Sequence, residues 1–332
     1  MPKEITHWLI AEETARQVLP YHLTTEEQAL LRLGAILHDV LYYVVCSTAS
    51  RRRCTALANT LHGASGEDTF TVFRLLRKHV LLAENSQIQH SVSQRQYNAF
   101  TLGALTHYVT DVVFHPCIYY MSGNCFDSAS RWQSWRNHRT IESTYDVLFC
   151  NAFQANIHAY SLWHDLQHAQ SVLHHIFYAL ASAQRRIGWE VTAQDYQQGY
   201  QNLAWLRAVY SQKLLNALLD YAERAILHLY PSYERTQVAS YLALRYSVSS
   251  PWNASHIDAP LYYQHPVSGD AYTTCLRELF NQAVQHSIQL WLQMEQELCS
   301  ATSHLGMLQH HGLSLEVGLH AVPMRSMQYF AS

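Results

Sequence analysis

The stretch Phe100–Phe114, FTLGALTHYVTDVVF, is apolar or small on nearly every side, and a segment of that kind reads as a helix buried in a core. It nevertheless carries His107 and Asp111. Residues at i and i+4 share a helix face, so an imidazole and a carboxylate stand side by side in an apolar interior, with His115 one turn further on. A buried Asp is rare unless it is paired or bound to a metal. A His–Asp hydrogen bond inside a core accounts for two of these residues; a hard or borderline metal ion accounts for all three.

Spacing alone carries little. With 22 His and 25 Asp plus Glu in 332 residues, random placement gives roughly 1.7 His-x-x-x-Asp/Glu pairs. The chain has three: His22/Glu26, His107/Asp111 and His138/Glu142. His22 and Glu26 lie where a helix starts and read as a solvated pair. The others are set apart by context, the first by its apolar helix and the second by RWQSWRNHRTIESTYDVLF, whose helical periodicity puts His138 and Glu142 on one face.

The composition, 48% hydrophobic and 14% charged, is that of a globular protein. A net charge of -3 and a pI near 6.7 give no general reason for binding nucleic acid or an anionic surface. Arg51–Arg53 reads as a solvated loop. The seven cysteines, at 46, 54, 117, 125, 150, 275 and 299, form no C-x-x-C, which argues against a disulfide framework or a cysteine zinc site. The N-terminal stretch MPKEITHWLIAEETARQ has charges within any candidate apolar region, and no run of 18 apolar residues exists. A cytoplasmic protein without a signal peptide is therefore expected.

Along the chain, helices are predicted over Ile5–Leu19, stopped by Pro20, and over ALLRLGAILHDVLYYV, opened by the capping box Thr24-x-x-Glu27 and carrying His38 and Asp39. Another runs from about Thr69 to Leu82, preceded by His62 and GASGED. The central helix is capped by Ser93 and stopped at His115–Pro116, with a loop from Cys117 to Ser130. Residues 151–246 are helical in pattern with breaks near Arg186–Thr192 and at Pro231; 248–272 is a loop, and Cys275–Ala301 a last long helix. The tail GLSLEVGLH is too short for a domain. No strand alternation stands out, so the expected class is all-α, with residues 1–150 carrying the metal site and 151–332 an additional helical region packed on it. His164, His168, His174, His175, His310 and His311 read as surface histidines without acidic partners in register.

His7, Asp39, His62, His107, Asp111, His115, His138 and Glu142 together resemble, in order and type, the ligand set of the zinc-dependent phospholipase C family, which is related to the fungal single-strand nucleases. The likeness covers about residues 1–150, with a looser one in QHPVSGDAY. It implies an all-helical domain holding two or three zinc ions and hydrolysing a phosphodiester, either a phospholipid or another. It further implies that Asp39, His62, His107 and Asp111 bind one zinc, that Asp111 bridges to a second held by His7, and that His115, His138 and Glu142 hold a third. Asp39 is implied as the base that activates the attacking water. His115 follows Asp111 more closely than is usual in the family, which also allows it to join the site of Asp111 itself. Only six residues precede His7, where secreted members use a processed N-terminal amine as a ligand.

Two other readings stay open. His7, His38–Asp39 and Asp111 also resemble the set of the HD-domain phosphohydrolases, which leaves His62, His115, His138 and Glu142 idle. A helical scaffold with a closed structural metal site needs no turnover at all.

Overall fold

A computed structural model describes residues 3–45, 47–76, 92–157, 159–246, 254–299 and 310–331. The chain is all-α apart from one two-stranded hairpin among these residues. The N-terminal half comprises α1 (Glu4–Val18), α2 (Thr25–Gly34), α3 (Thr48–Leu61), α4 (Gln94–Ser122) and α5 (Arg131–Ala152). Then follow α6 (Leu162–His168), α7 (Gln170–Arg186), α8 (Ala193–Tyr210), α9 (Lys213–Leu229), α10 (Gln237–Leu242), the hairpin β1 (Leu261–Gln264) with β2 (Ala271–Thr274), and α11 (Leu276–Cys299).

The apolar central stretch is buried as its composition requires: from Ala99 to Asp111 every residue of α4 is inaccessible or nearly so. It is sheathed by α1, α2, α5 and α11. The closest approach is to α2 and uses two glycines reciprocally. A Cβ on Gly34 would lie 2.0 Å from Phe100 O, and one on Gly103 would lie 2.0 Å from Leu31 O. Gly103→Ala is accordingly expected to force the helices apart and to lower stability by about 1–3 kcal/mol. An unchanged urea midpoint would show that the crossing is looser than this.

Besides Arg51–Arg53, which lie within α3 rather than in a loop, three local expectations need correction. The helix expected over residues 29–44 ends at Gly34, and the chain turns before a 3-10 segment at Val40–Tyr43. In a continued helix the Asp39 N–H would bond Ala35 O. Instead it donates to Ile36 O at 3.2 Å, and Ala35 O accepts from His107 Nδ1 at 2.8 Å. A tertiary histidine bond thus competes successfully with the helix ladder.

Nor does α4 stop at Pro116; it continues to Ser122, so part of the loop expected after Cys117 is helical. Proline removes the N–H that would reach Val112 O. That carbonyl faces Gly318, whose φ is +66° and where a Cβ would lie 3.1 Å from Val112 O and 3.5 Å from Pro116 Cγ. The surrounding fold tolerates the proline by bringing a side-chain-free residue against it. Third, the polar loop around 248–272 contains the hairpin, pairing Tyr263 with Tyr272, whose rings stack at 5.1 Å. Four-residue strands are too short to show alternation.

The helix expected over Thr69–Leu82 is seen over 71–76 and otherwise lies outside the described residues. The capping boxes at Thr24/Glu27 and Ser93/Gln96 both form. Cys117, Cys125, Cys150 and Cys275 form no disulfide, and no helix among the described residues is long and apolar enough to cross a membrane.

Candidate metal centre

The eight residues singled out in the sequence converge on one buried locus, none of them more than 7% exposed. Asp111 stands in the middle. Its Oδ1 is 3.4 Å from His7 Nε2 and 3.8 Å from His115 Nε2; its Oδ2 is 3.1 Å from His107 Nε2 and 3.8 Å from His62 Nε2. Asp39 Oδ1 adds contacts of 3.1 Å to His62 and 3.8 Å to His107. On the next face, His138 Nε2 is 2.9 Å from Glu142 Oε1, and the His115 and His138 rings are 5.7 Å apart.

Each side chain is held by the element that carries it. His7 sits on the first turns of α1, whose free backbone donors are capped from α5: Ile5 and Thr6 N–H reach the Asp146 carboxylate at 3.1 and 2.8 Å, and Thr6 Oγ1 donates to it at 2.6 Å. Burial, reinforced by the neighbouring charge of Glu4, raises Asp146 to about 6. The carboxylate that anchors α1 lies one turn beyond Glu142, so one helix fixes both. Asp39 comes from the turn after α2 and His62 from the C-cap of α3.

Three of the rings are oriented by the same device. His62 Nδ1 donates to Ala58 O at 2.8 Å, His107 Nδ1 to Ala35 O at 2.8 Å, and His115 Nδ1 to Leu315 O at 2.6 Å. A proton on Nδ1 leaves Nε2 of a neutral ring with its lone pair, and all three Nε2 atoms face Asp111 or Asp39. Meanwhile both nitrogens of His7, Nε2 of His107 and His115, and both oxygens of Asp111 have no hydrogen-bond partner among the described residues. Lone pairs facing carboxylate oxygens inside a core are costly unless a cation lies among them.

Burial and the charges of the cluster pull its groups in different directions. Burial opposes charge on His62, but its bond to Asp39 and the charges of Asp39, Glu316 and Asp111 raise it to about 9. His107 is likewise pressed down by burial and carried upward by Asp111 and Asp39. Asp111, disfavoured as an anion by burial, is driven well below the carboxylate range by His115, His107 and His7. Burial holds His7 and His138 well below the ordinary imidazole value and takes His115 down to about 3.

Donor atoms of three trios fall within 4.8 Å of one another: His7, Asp39 and His107; His62, His107 and Asp111; and His115, His138 and Glu142. Imidazole and carboxylate in such sets suit zinc, whose usual sites take four N, O or S donors. The donors therefore fit metal ions.

Two further side chains line the centre: His38, which the sequence offers only for the HD-type set, and Glu316, which is not expected from it. His38, fully buried, stacks on His107 at 4.7 Å, while His7 stacks on the same ring at 4.2 Å. Glu316, from the tail too short for a domain, is buried beside His115, 3.7 Å from its Nδ1, and accepts a hydrogen bond from Tyr119. The one signal for Glu316 is an acid in the apolar run GLSLEVGLH. His164 and His168 lie on the exposed face of α6, their Nε2 atoms 2.9 Å apart, unlike the buried set.

A family model described as zinc dependent phospholipase C matches residues 6–213. No curated protein and no solved structure matches the chain.

Proposed function

The chain belongs to the zinc-dependent phospholipase C family, and from that premise we propose that it hydrolyses a phosphodiester, a phospholipid or a smaller ester, by attack of water at a buried two- or three-zinc centre. The observation that carries this reading is that Nε2 of His7, His107 and His115 and both oxygens of Asp111 face one another with no hydrogen-bond partner among the described residues, while backbone carbonyls lock the rings of His107 and His115 with Nε2 turned inward. In the proposal His62, His107, Asp39 and Asp111 hold one ion, His7 with Asp111 a second, and His115, His138 and Glu142 a third. Zinc bound there lowers the pKa of water to about 7 and neutralises charge developing on the phosphoryl oxygens.

The rest falls to the protein. Asp39 has the more solvent-reachable carboxylate of the inner pair, its side chain 10% exposed against 0% for Asp111, and it is proposed to take the proton from the attacking water. Asp111, wholly enclosed, keeps its charge for the imidazoles around it. Bonds from Nδ1 to backbone carbonyls keep the rings from turning away as charge shifts. The HD-type alternative requires His38 as a ligand, and none of the close donor trios among the described residues includes it.

The test is direct. Untagged protein is expected to carry two or three zinc ions per chain by elemental analysis and to cleave both a phosphatidylcholine micelle and a soluble nitrophenyl phosphodiester, or the soluble ester alone if lipid is not the substrate. Protein that folds, binds no zinc and cleaves neither would sink the proposal.

A further inference from the structure

Segment 313–319 lies outside the family-matched region and yet is threaded into the metal centre. Leu315 N–H donates to His62 O at 2.9 Å while Leu315 O accepts from His115 Nδ1, so one residue ties together two candidate ligands from different helices. The segment is held on both flanks: Leu313 N–H reaches Tyr108 Oη at 3.0 Å, Thr69 Oγ1 donates to Leu313 O at 2.7 Å, and His265 Nε2 donates to Val317 O at 2.9 Å. Gly318 fills the gap beside Pro116.

Between these anchors Glu316 turns inward. Its backbone N–H bonds Ser314 Oγ at 3.3 Å, its carboxylate takes the Tyr119 hydroxyl, and Oε2 lies 3.7 Å from His115 Nδ1. Tyr119 is one turn beyond His115 on α4, in register because the helix continues through Pro116. Its ring is 5.3 Å from that of His115 and 4.6 Å from that of His138. A carboxylate and a carbonyl behind Nδ1 fix the ring and make its Nε2 a better donor to a metal.

We infer that Glu316, held by Tyr119, is a positioning residue for the metal site of His115, His138 and Glu142, so that the occupancy of this site depends on the segment 313–319. The inference rests on the zinc-centre reading above. Glu316 acts through His115: its negative charge, 3.7 Å from Nδ1, favours the proton that Nδ1 donates to Leu315 O and leaves Nε2 to the ion.

The experiment measures zinc release from the full-length protein to a graded series of a chromophoric chelator, with unfolding temperature followed in parallel. Glu316→Gln, which keeps the shape and removes the charge, is expected to weaken one zinc ion per chain by about 10- to 100-fold and to leave the others as in the unaltered protein. Glu316→Asp is expected to recover part of the loss. Asp165→Asn removes a buried carboxylate paired with Arg32 at 3.0 Å, and is expected to cost stability without loosening any zinc. Should Glu316→Gln fail to fold, Tyr119→Phe carries the test, with a smaller weakening of the same ion.

A Glu316→Gln protein, or in its place a Tyr119→Phe protein, that releases every zinc as the unaltered one does would overturn the inference and leave the zinc centre standing. Equal loosening in Asp165→Asn would also overturn it, by showing a general loss of stability. Unaltered protein holding no zinc would overturn the zinc centre itself, and this inference with it.

Discussion

Asp111→Asn is expected to empty the inner metal sites and to lower phosphodiester cleavage by roughly three orders of magnitude or more. The magnitude follows from what is lost. Metal stabilisation of developing charge contributes several kcal/mol, and each 1.36 kcal/mol is tenfold in rate. The substitution keeps the shape of the side chain but removes a charge whose two oxygens lie within 3.8 Å of four imidazoles. An amide also presents an N–H₂ group, which repels a cation where the carboxylate attracted one. Folding is expected to survive, because a neutral side chain is less costly to bury than an unpaired anion. Zinc per chain and initial rate, measured on the same preparation, decide the matter. Full zinc and full rate in the variant would remove Asp111 from the centre.

Stripping the metal is expected to do more than abolish activity: it should lower stability and add an alkaline limb to its pH dependence that the loaded protein lacks. Zinc at 1,000 times its dissociation constant stabilises by roughly 4 kcal/mol, which chelation forfeits. The remaining dependence has two limbs. His62 is raised to about 9 in the metal-free fold, so between its ordinary value near 6.5 and 9 the native state holds a proton the unfolded chain lacks. Its contribution is complete below about 6.5 and is lost as pH rises through 9.

His115 behaves oppositely. Burial takes it down to about 3, so from about 6.5 down to 3 the unfolded chain binds a proton that the native state refuses, and stability falls with acidification. His7, His38 and His138, also held low chiefly by burial, add to this limb. Chelated protein should therefore be most stable near pH 6.5 and melt earlier on either side. With zinc loaded the alkaline limb disappears, since the ion replaces the proton on His62. A thermal-melt series in pH, with and without chelator, tests it; an alkaline limb that persists in the loaded protein would place His62 away from the metal.

Much of the candidate site is legible in the amino-acid sequence. The pairs His107/Asp111 and His138/Glu142 depend only on helical period, and the burial of the first follows from a segment apolar all round. The family likeness resting on eight side chains agrees with the match over residues 6–213, and the all-α class with the elements seen. Helix starts are equally readable, because Thr24 and Ser93 satisfy backbone donors from their own neighbourhood.

What the sequence alone determined is thus whatever is decided within a few residues: helical period, caps, the apolar character of α4, and the kinds of donor available. The tertiary structure alone decided where those rules yield to distant partners. The predicted second helix breaks at Ala35 because His107, far along the chain, takes its carbonyl. The helix crosses Pro116 because Gly318 packs where the hydrogen bond is missing. Glu316 reaches His115 only because the tail returns across 200 residues to bond it through Leu315. No local pattern announces such a contact, since its stabilisation comes from groups that only the assembled core brings together.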